Sequence, residues 1–376
     1  MHDPFRRARA KTQRKLRRAG ASAITEMWST LLGPSKPKKR RARKPGTPAR
    51  KAVKPASPSR AAMGGSGKVK ARAAVPATRS QARTPRGATF KAGQHETAFG
   101  TRSYKLYVPV AANKATTPLP LLVMLHGCGQ SSKDFARGTG MNTLAEEFGF
   151  LVLYPDQARD AHHYRCWNWY RRGDQNRGAG EPALLADMTR KIIADWNADP
   201  SRVYVAGLSA GAAAALILAT EYSDIFAAVG VHSGLAVGAA HDPASVPRAM
   251  QSGDPGKRLD AQVPTIIFHG DADKVINPRN GRFIAIRALE PFAALDRTEK
   301  KGRVHGGREF TRTVHRVGRG RPYTEQWVVH GAGHAWSGGH AAGSYTDPTG
   351  PDASREMVRF FLRHRTTKKR RSTLPK

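Results

Sequence analysis

The chain has 376 residues, 39% of them hydrophobic, enough to bury one large core or two small ones. Its formal net charge of +36 is unevenly spread: residues 1–90 hold 25 Lys and Arg against only Asp3 and Glu26, and residues 363–376 add seven more with no acid. No apolar run reaches the ~20 residues of a membrane-spanning helix, and two cysteines, Cys128 and Cys166, are too few for a disulfide scaffold.

In chain order, residues 1–89 read as a basic, Pro-rich arm with no hydrophobic period, expected to be disordered. Within it, residues 21–32 read as a short amphipathic helix behind the basic residues Arg6 to Arg18. The N-terminus opens with the positive charge of a secretory signal but lacks the apolar stretch and small-residue cleavage site that should follow. Such an arm attracts polyanions or anionic surfaces weakly, through counterion release, or is simply a solvated extension. No base-reading motif accompanies the charge, which favours the second reading. Residues 90–364 are expected to form the folded domain, and 365–376 a basic tail.

Tyr104, Leu106 and Val108 alternate with Ser103, Lys105 and Tyr107, the period of a half-exposed strand. Residues 121–125 are predicted as a buried strand, 139–148 as a helix and 150–154 as the next strand. Leu184, Leu185, Met188, Ile192, Ile193 and Trp196 lay a helical stripe over 183–196. Residues 203–206 read as a strand running directly into a small-residue helix at 210–220. Further strands are predicted at 227–231, 265–268 and 326–329, with a closing helix over 353–363. The Gly/Pro/Arg-rich stretches 236–262 and 280–322 are expected to be surface loops and short helices. Strands alternating with helices in this way imply an α/β fold: a mostly parallel central sheet flanked by helices on both faces.

Four segments carry chemistry. The first, Gly207-Leu208-Ser209-Ala210-Gly211, follows a strand and opens a helix, the context in which a nucleophilic serine is held on a sharp turn between small neighbours. The second, Leu125-His126-Gly127-Cys128-Gly129-Gln130, closes an early buried strand. There the backbone N–H of Cys128, together with that of Ala210, is placed to hold an oxyanion. The third is His269-Gly270-Asp271-Ala272-Asp273. Either aspartate could orient a catalytic histidine. Asp273, further into the loop, is the choice, and Asp271 is read as a turn cap. The fourth, Gly331-Ala332-Gly333-His334-Ala335-Trp336, offers His334 as general base. The chain order Ser209, Asp273, His334 is that of the α/β-hydrolase fold. His126, His269, His330 and His340 are read as structural.

Residues 90–362 resemble the catalytic domain of the poly(3-hydroxybutyrate) depolymerase family of esterases, relatives of feruloyl and acetylxylan esterases. The resemblance is carried by LHGCGQ at 125–130, RCWNWY at 165–170, GLSAG at 207–211, HGDAD at 269–273 and GAGHAWSGG at 331–339. It implies an α/β-hydrolase with Ser209 as nucleophile, Asp273 and His334 completing the triad, and the Cys128 N–H in the oxyanion hole. It also implies a disulfide between Cys128 and Cys166. Two departures matter: the chain shows neither a recognisable signal peptide nor a separate polymer-binding domain. Soluble oligomers or small esters are therefore expected as substrates rather than crystalline polymer. Family habit points outside the cell, and the missing apolar signal points inside.

The expected reaction is hydrolysis of carboxylic esters, such as hydroxyalkanoate oligomers, through an acyl-enzyme, with no metal or organic cofactor called for. Trp167, Trp169 and Trp336 are candidate walls of the substrate pocket, with core packing as the alternative for the first two. The nearest rival reading is a feruloyl or acetyl carbohydrate esterase on the same scaffold. A rival of another class is a polyanion- or granule-binding protein whose hydrolase domain is incidental.

Overall fold

The computed structural model describes residues 84–367. The arm before residue 84, its expected helix at 21–32 and the tail after 367 lie outside the described residues. The strands are β1 (Thr89–Thr97), β2 (Gly100–Val108), β3 (Leu121–Leu125), β4 (Leu151–Pro155), β5 (Val203–Leu208), β6 (Ala228–His232), β7 (Thr265–Gly270), β8 (Asp296–Arg303), β9 (Glu309–Arg316), β10 (Pro322–Val329), β11 (Trp336–Ser337) and β12 (Thr346–Asp347). The helices are α1 (Ser132–Thr139), α2 (Met141–Phe148), α3 (Gly180–Asp195), α4 (Ala210–Glu221), α5 (Val246–Ser252), α6 (Arg279–Leu289) and α7 (Ala353–Phe361). None of the described helices is long and apolar enough to cross a membrane.

Ten strands form one sheet in the order β1-β2-β4-β3-β5-β6-β7-β10-β9-β8. The middle of the sheet, β4 through β10, is parallel, and antiparallel strands close both edges. β3 and β5 read LLVML and VYVAGL and are buried throughout, as strands covered on both faces must be. One face packs on α3 and α4, through residues such as Leu184, Met188 and Leu216. The other packs on α2 and α7, where Phe361 stacks on Tyr204 at 5.2 Å. Register aligns Leu125 with Gly207, Leu208 with His232, His232 with Phe268, and Gly270 with Val329. The C-terminal ends of five parallel strands therefore meet in one row, and each of the four motif segments begins there.

Two expectations are corrected. The helix expected over 139–148 is α2, which begins two residues later at Met141; Thr139 instead ends a separate helix that was not expected, α1, and the chain turns between them at Gly140, whose φ of 63° belongs to the left-handed region. The stretch 280–322 is not mainly loop: it holds most of α6 and the β8–β9 hairpin. The sequence of β8, DRTEKKGR, has no apolar alternation because nearly every residue faces solvent at the sheet edge. Backbone pairing with β9, not side-chain burial, makes it a strand.

Candidate active site

β5 ends at Leu208 and α4 begins at Ala210, so the chain turns sharply through Ser209. Ser209 has φ 58° and ψ −121°, strain of order 1–3 kcal/mol for a residue with a side chain. Its glycine neighbours allow the turn to close. A Cβ on Gly207 would lie 2.3 Å from Gly211 O, and one on Gly211 would lie 2.2 Å from Leu125 O and 2.4 Å from His126 O. The same closeness sets the start of α4 against the loop that follows β3. Ser209 N donates to His232 O at 2.9 Å, fixing the elbow to the next strand. Ser209 is half-buried at the helix N-terminus, where the aligned backbone dipoles favour negative charge.

The loop after β3 is tied on both sides of Cys128. Gly127 N donates to Gln130 Oε1 at 2.9 Å, and Gly129 N donates to Tyr164 O at 2.8 Å. Gln130 is anchored in turn, its Nε2 donating to Ser344 O and Ser344 Oγ at 3.1 Å. Cys128 is disulfide-bonded to Cys166, 38 residues on. Beneath the loop lies His126. Its Nε2 accepts from Gln157 N at 3.0 Å, so the ring proton is on Nδ1, which donates to Gly127 O at 2.8 Å. Burial pushes the His126 pKa down, which keeps the ring neutral. The N–H of Ala210 opens α4 and, as the first helical residue, has no acceptor one turn back within its own helix.

The loops after β7 and β10 are joined by backbone hydrogen bonds from Asp271 N to Val329 O at 3.2 Å and from Ala272 N to Ala332 O at 3.1 Å. Across this junction His334 Nδ1 donates to Asp273 Oδ2 at 2.8 Å. Asp273 Oδ1 accepts from Val275 N at 2.8 Å and Ile276 N at 3.0 Å. Burial alone would raise the Asp273 pKa. Attraction to His334 and hydrogen bonds from His269 and His334 outweigh it and hold the carboxyl well below its ordinary range. With Nδ1 committed to Asp273, His334 Nε2 is buried without a hydrogen-bond partner. Asp271 is half-exposed; it accepts from Gly331 N at 2.6 Å and pairs with His330 Nδ1 at 2.8 Å.

The three tryptophans are buried, which for Trp167 and Trp169 is the core-packing alternative and for Trp336 corrects the expectation of a pocket wall. Trp167 is 0% exposed, and its Nε1 donates to His126 O at 3.0 Å. Trp169 is 3% exposed and packs edge-on against Tyr170. Trp336 is 1% exposed; it stacks on His232 at 5.0 Å and donates from Nε1 to Ser354 Oγ at 3.0 Å. Rings this deeply seated support the loops from below.

Two supporting residues escaped the sequence reading. His232, at the end of β6, gives its backbone oxygen to Ser209 N, while its Nε2 accepts from Ser337 N at 2.9 Å. It thus links the serine turn to the loop that carries His334. Glu181, buried at the start of α3, accepts from Asn168 N at 2.7 Å and Asn168 Nδ2 at 2.8 Å, and also bonds Gln157. It holds the RCWNWY segment in place. Glu181 sits inside a plain helical stripe, and no local signal marks it. His232 ends a strand next to the one that leads into Ser209, a position that could have singled it out.

A ten-stranded, mostly parallel sheet with a strained serine at the end of β5 and an Asp–His pair across two later loops is the architecture of an α/β-hydrolase. The acetyl xylan esterase from Aspergillus awamori shares this fold at a TM-score of 0.52 and 22% identity, covering 65% of this chain and 94% of that one. Poly(3-hydroxyalkanoate) depolymerase C of Paucimonas lemoignei is 30% identical over 231 residues, 57% of this chain and 54% of that protein. Feruloyl esterase B of Neurospora crassa is 30% identical over 281 residues, 68% of this chain and 87% of that protein. The chain thus spans about half the length of the depolymerase and most of the feruloyl esterase. The sequence model of the family described as Esterase PHB depolymerase matches residues 102–309, more than half of the chain. The chain belongs to that family.

Proposed function

We propose that this chain is a serine esterase that hydrolyses short carboxylic esters, hydroxyalkanoate oligomers among them, through an acyl-enzyme on Ser209. The observation that supports the reading is the 2.8 Å Asp273–His334 hydrogen bond, which leaves His334 Nε2 buried and unpartnered in the loop after β10. In the proposed reaction, His334 Nε2 takes the hydroxyl proton as Ser209 Oγ attacks the ester carbonyl. The N–H groups of Cys128 and Ala210 hold the oxyanion, each contributing about 3 kcal/mol. The intermediate collapses, breaking the ester C–O bond, and His334 returns the proton to the leaving alcohol. Water activated by His334 then cleaves the acyl-serine.

A second reading, esterase action on acetylated or feruloylated carbohydrate, is favoured by coverage. The chain matches 87% of the feruloyl esterase but only 54% of the depolymerase. Purified protein assayed on p-nitrophenyl acyl esters, 3-hydroxybutyrate oligomers, feruloyl sugars and acetylated xylo-oligosaccharides separates the two. The first reading expects the highest kcat/KM on the hydroxybutyrate oligomers; a preference for either sugar ester would replace it with the second. In both, Ser209→Ala loses several orders of magnitude in kcat.

A further inference from the structure

We propose that His269 is a positioning residue whose Nε2–H, held by Ile276 O, lies against the Asp273 carboxylate and thereby sets the basicity of His334; this rests on the serine-esterase reading above. His269 is buried near the end of β7. Its Nε2 lies 3.0 Å from Ile276 O and 3.4 Å from Asp273 Oδ2. Both neighbours are acceptors, so this nitrogen carries a proton. The other nitrogen, Nδ1, has no hydrogen-bond partner and packs on α6 at Gly281, where an added Cβ would lie 3.1 Å from it. The ring is therefore held in place through one nitrogen, aimed at the loop that carries Asp273.

The oxygen it approaches is the one that serves His334. Asp273 Oδ2 accepts from His334 Nδ1 at 2.8 Å, while Oδ1 is occupied by the N–H groups of Val275 and Ile276. A carboxylate oxygen that faces a second N–H dipole offers less negative charge to the donor it already serves. Removing the His269 N–H is therefore expected to strengthen the attraction of Asp273 for the imidazolium that His334 forms during the reaction. Asp273, His334 and His232 are the titratable groups that interact with one another around it, and α6 contributes a residue without a side chain.

The test is the pH profile of kcat/KM on a p-nitrophenyl ester for wild type, His269→Leu and His269→Gln, with Ser209→Ala as control. Leu removes the donor and keeps the volume, whereas the Gln amide can restore a donor near the Nε2 position. His269→Leu should move the midpoint of the acid limb up by roughly 0.5–1 pH unit. The resulting deficit below that limb is up to about tenfold greater than on the plateau. His269→Gln should return the midpoint toward wild type. If His269→Leu does not fold, His269→Asn, too short to reach Asp273, must show the same upward shift. An activity loss that is equal at every pH, with the midpoint unmoved, would overturn the role of His269. Full activity in Ser209→Ala would instead remove the esterase reading on which it stands.

Discussion

Ser209 is held at φ 58° between two glycines that have no room for a Cβ, so the strain of the turn is supported by close backbone packing. Its neighbour across the strands, His232, shows the same economy, serving the elbow with its backbone and the His334 loop with its ring. Burial pushes the His232 pKa down to about 3. The unfolded chain binds a proton here near pH 6.5, whereas the folded chain does not until pH approaches 3. The sign follows: this group leaves stability intact above about pH 6.5 and removes it as pH falls, by up to about 1.4 kcal/mol per pH unit. Chemical denaturation of His232→Gln between pH 7 and 4 should show a shallower loss of stability with acid than wild type. An unchanged slope would contradict a buried, neutral His232. Ser209, Asp273 and His334 could be singled out in the sequence because each sits in a short motif with its strand; the structure puts Ser209 on the strand-to-helix turn and His334 in hydrogen-bond contact with Asp273. His232 was passed over because one histidine among 14 stands out only once its place at the end of the strand beside β5 is known. Trp336 was read as a pocket wall because it lies two residues from His334, but closeness along the chain does not say which way a ring faces.

Among the elements, the loop after β3 is the one that would supply the Cys128 N–H to the proposed oxyanion hole. It is pinned by Gln130, by Tyr164 O and by the Cys128–Cys166 disulfide. Replacing both cysteines by serine opens a 38-residue loop and is expected to cost about 2–4 kcal/mol of stability. It should also lower kcat more than it raises KM, because an oxyanion donor acts on the transition state rather than on the bound ester. Thermal melts and steady-state kinetics on the double variant check both; a stability loss with kcat intact would show that the loop holds its shape without the bond. The buried parallel strands were readable as short apolar runs. The β8–β9 hairpin was not, because an exposed edge strand leaves no hydrophobic period in the sequence. α1 was not readable because its sequence, SKDFARGT, carries only Phe135 and Ala136 as apolar residues, too few to lay down a helical stripe.

At the scale of the whole molecule, the positive charge concentrates in residues 1–90, while the chemistry concentrates in a row of strand ends within residues 125–334. The folded body can therefore be tested without reference to the arm. Covalent capture by a fluorophosphonate probe, located by peptide mass spectrometry on the full-length protein, reports directly on whether one serine is activated by the Asp273–His334 pair. The account predicts a single stoichiometric adduct on the peptide containing Ser209, absent after heat unfolding and strongly reduced in His334→Ala. A folded protein that takes up no probe, or takes it up on another residue, would contradict it.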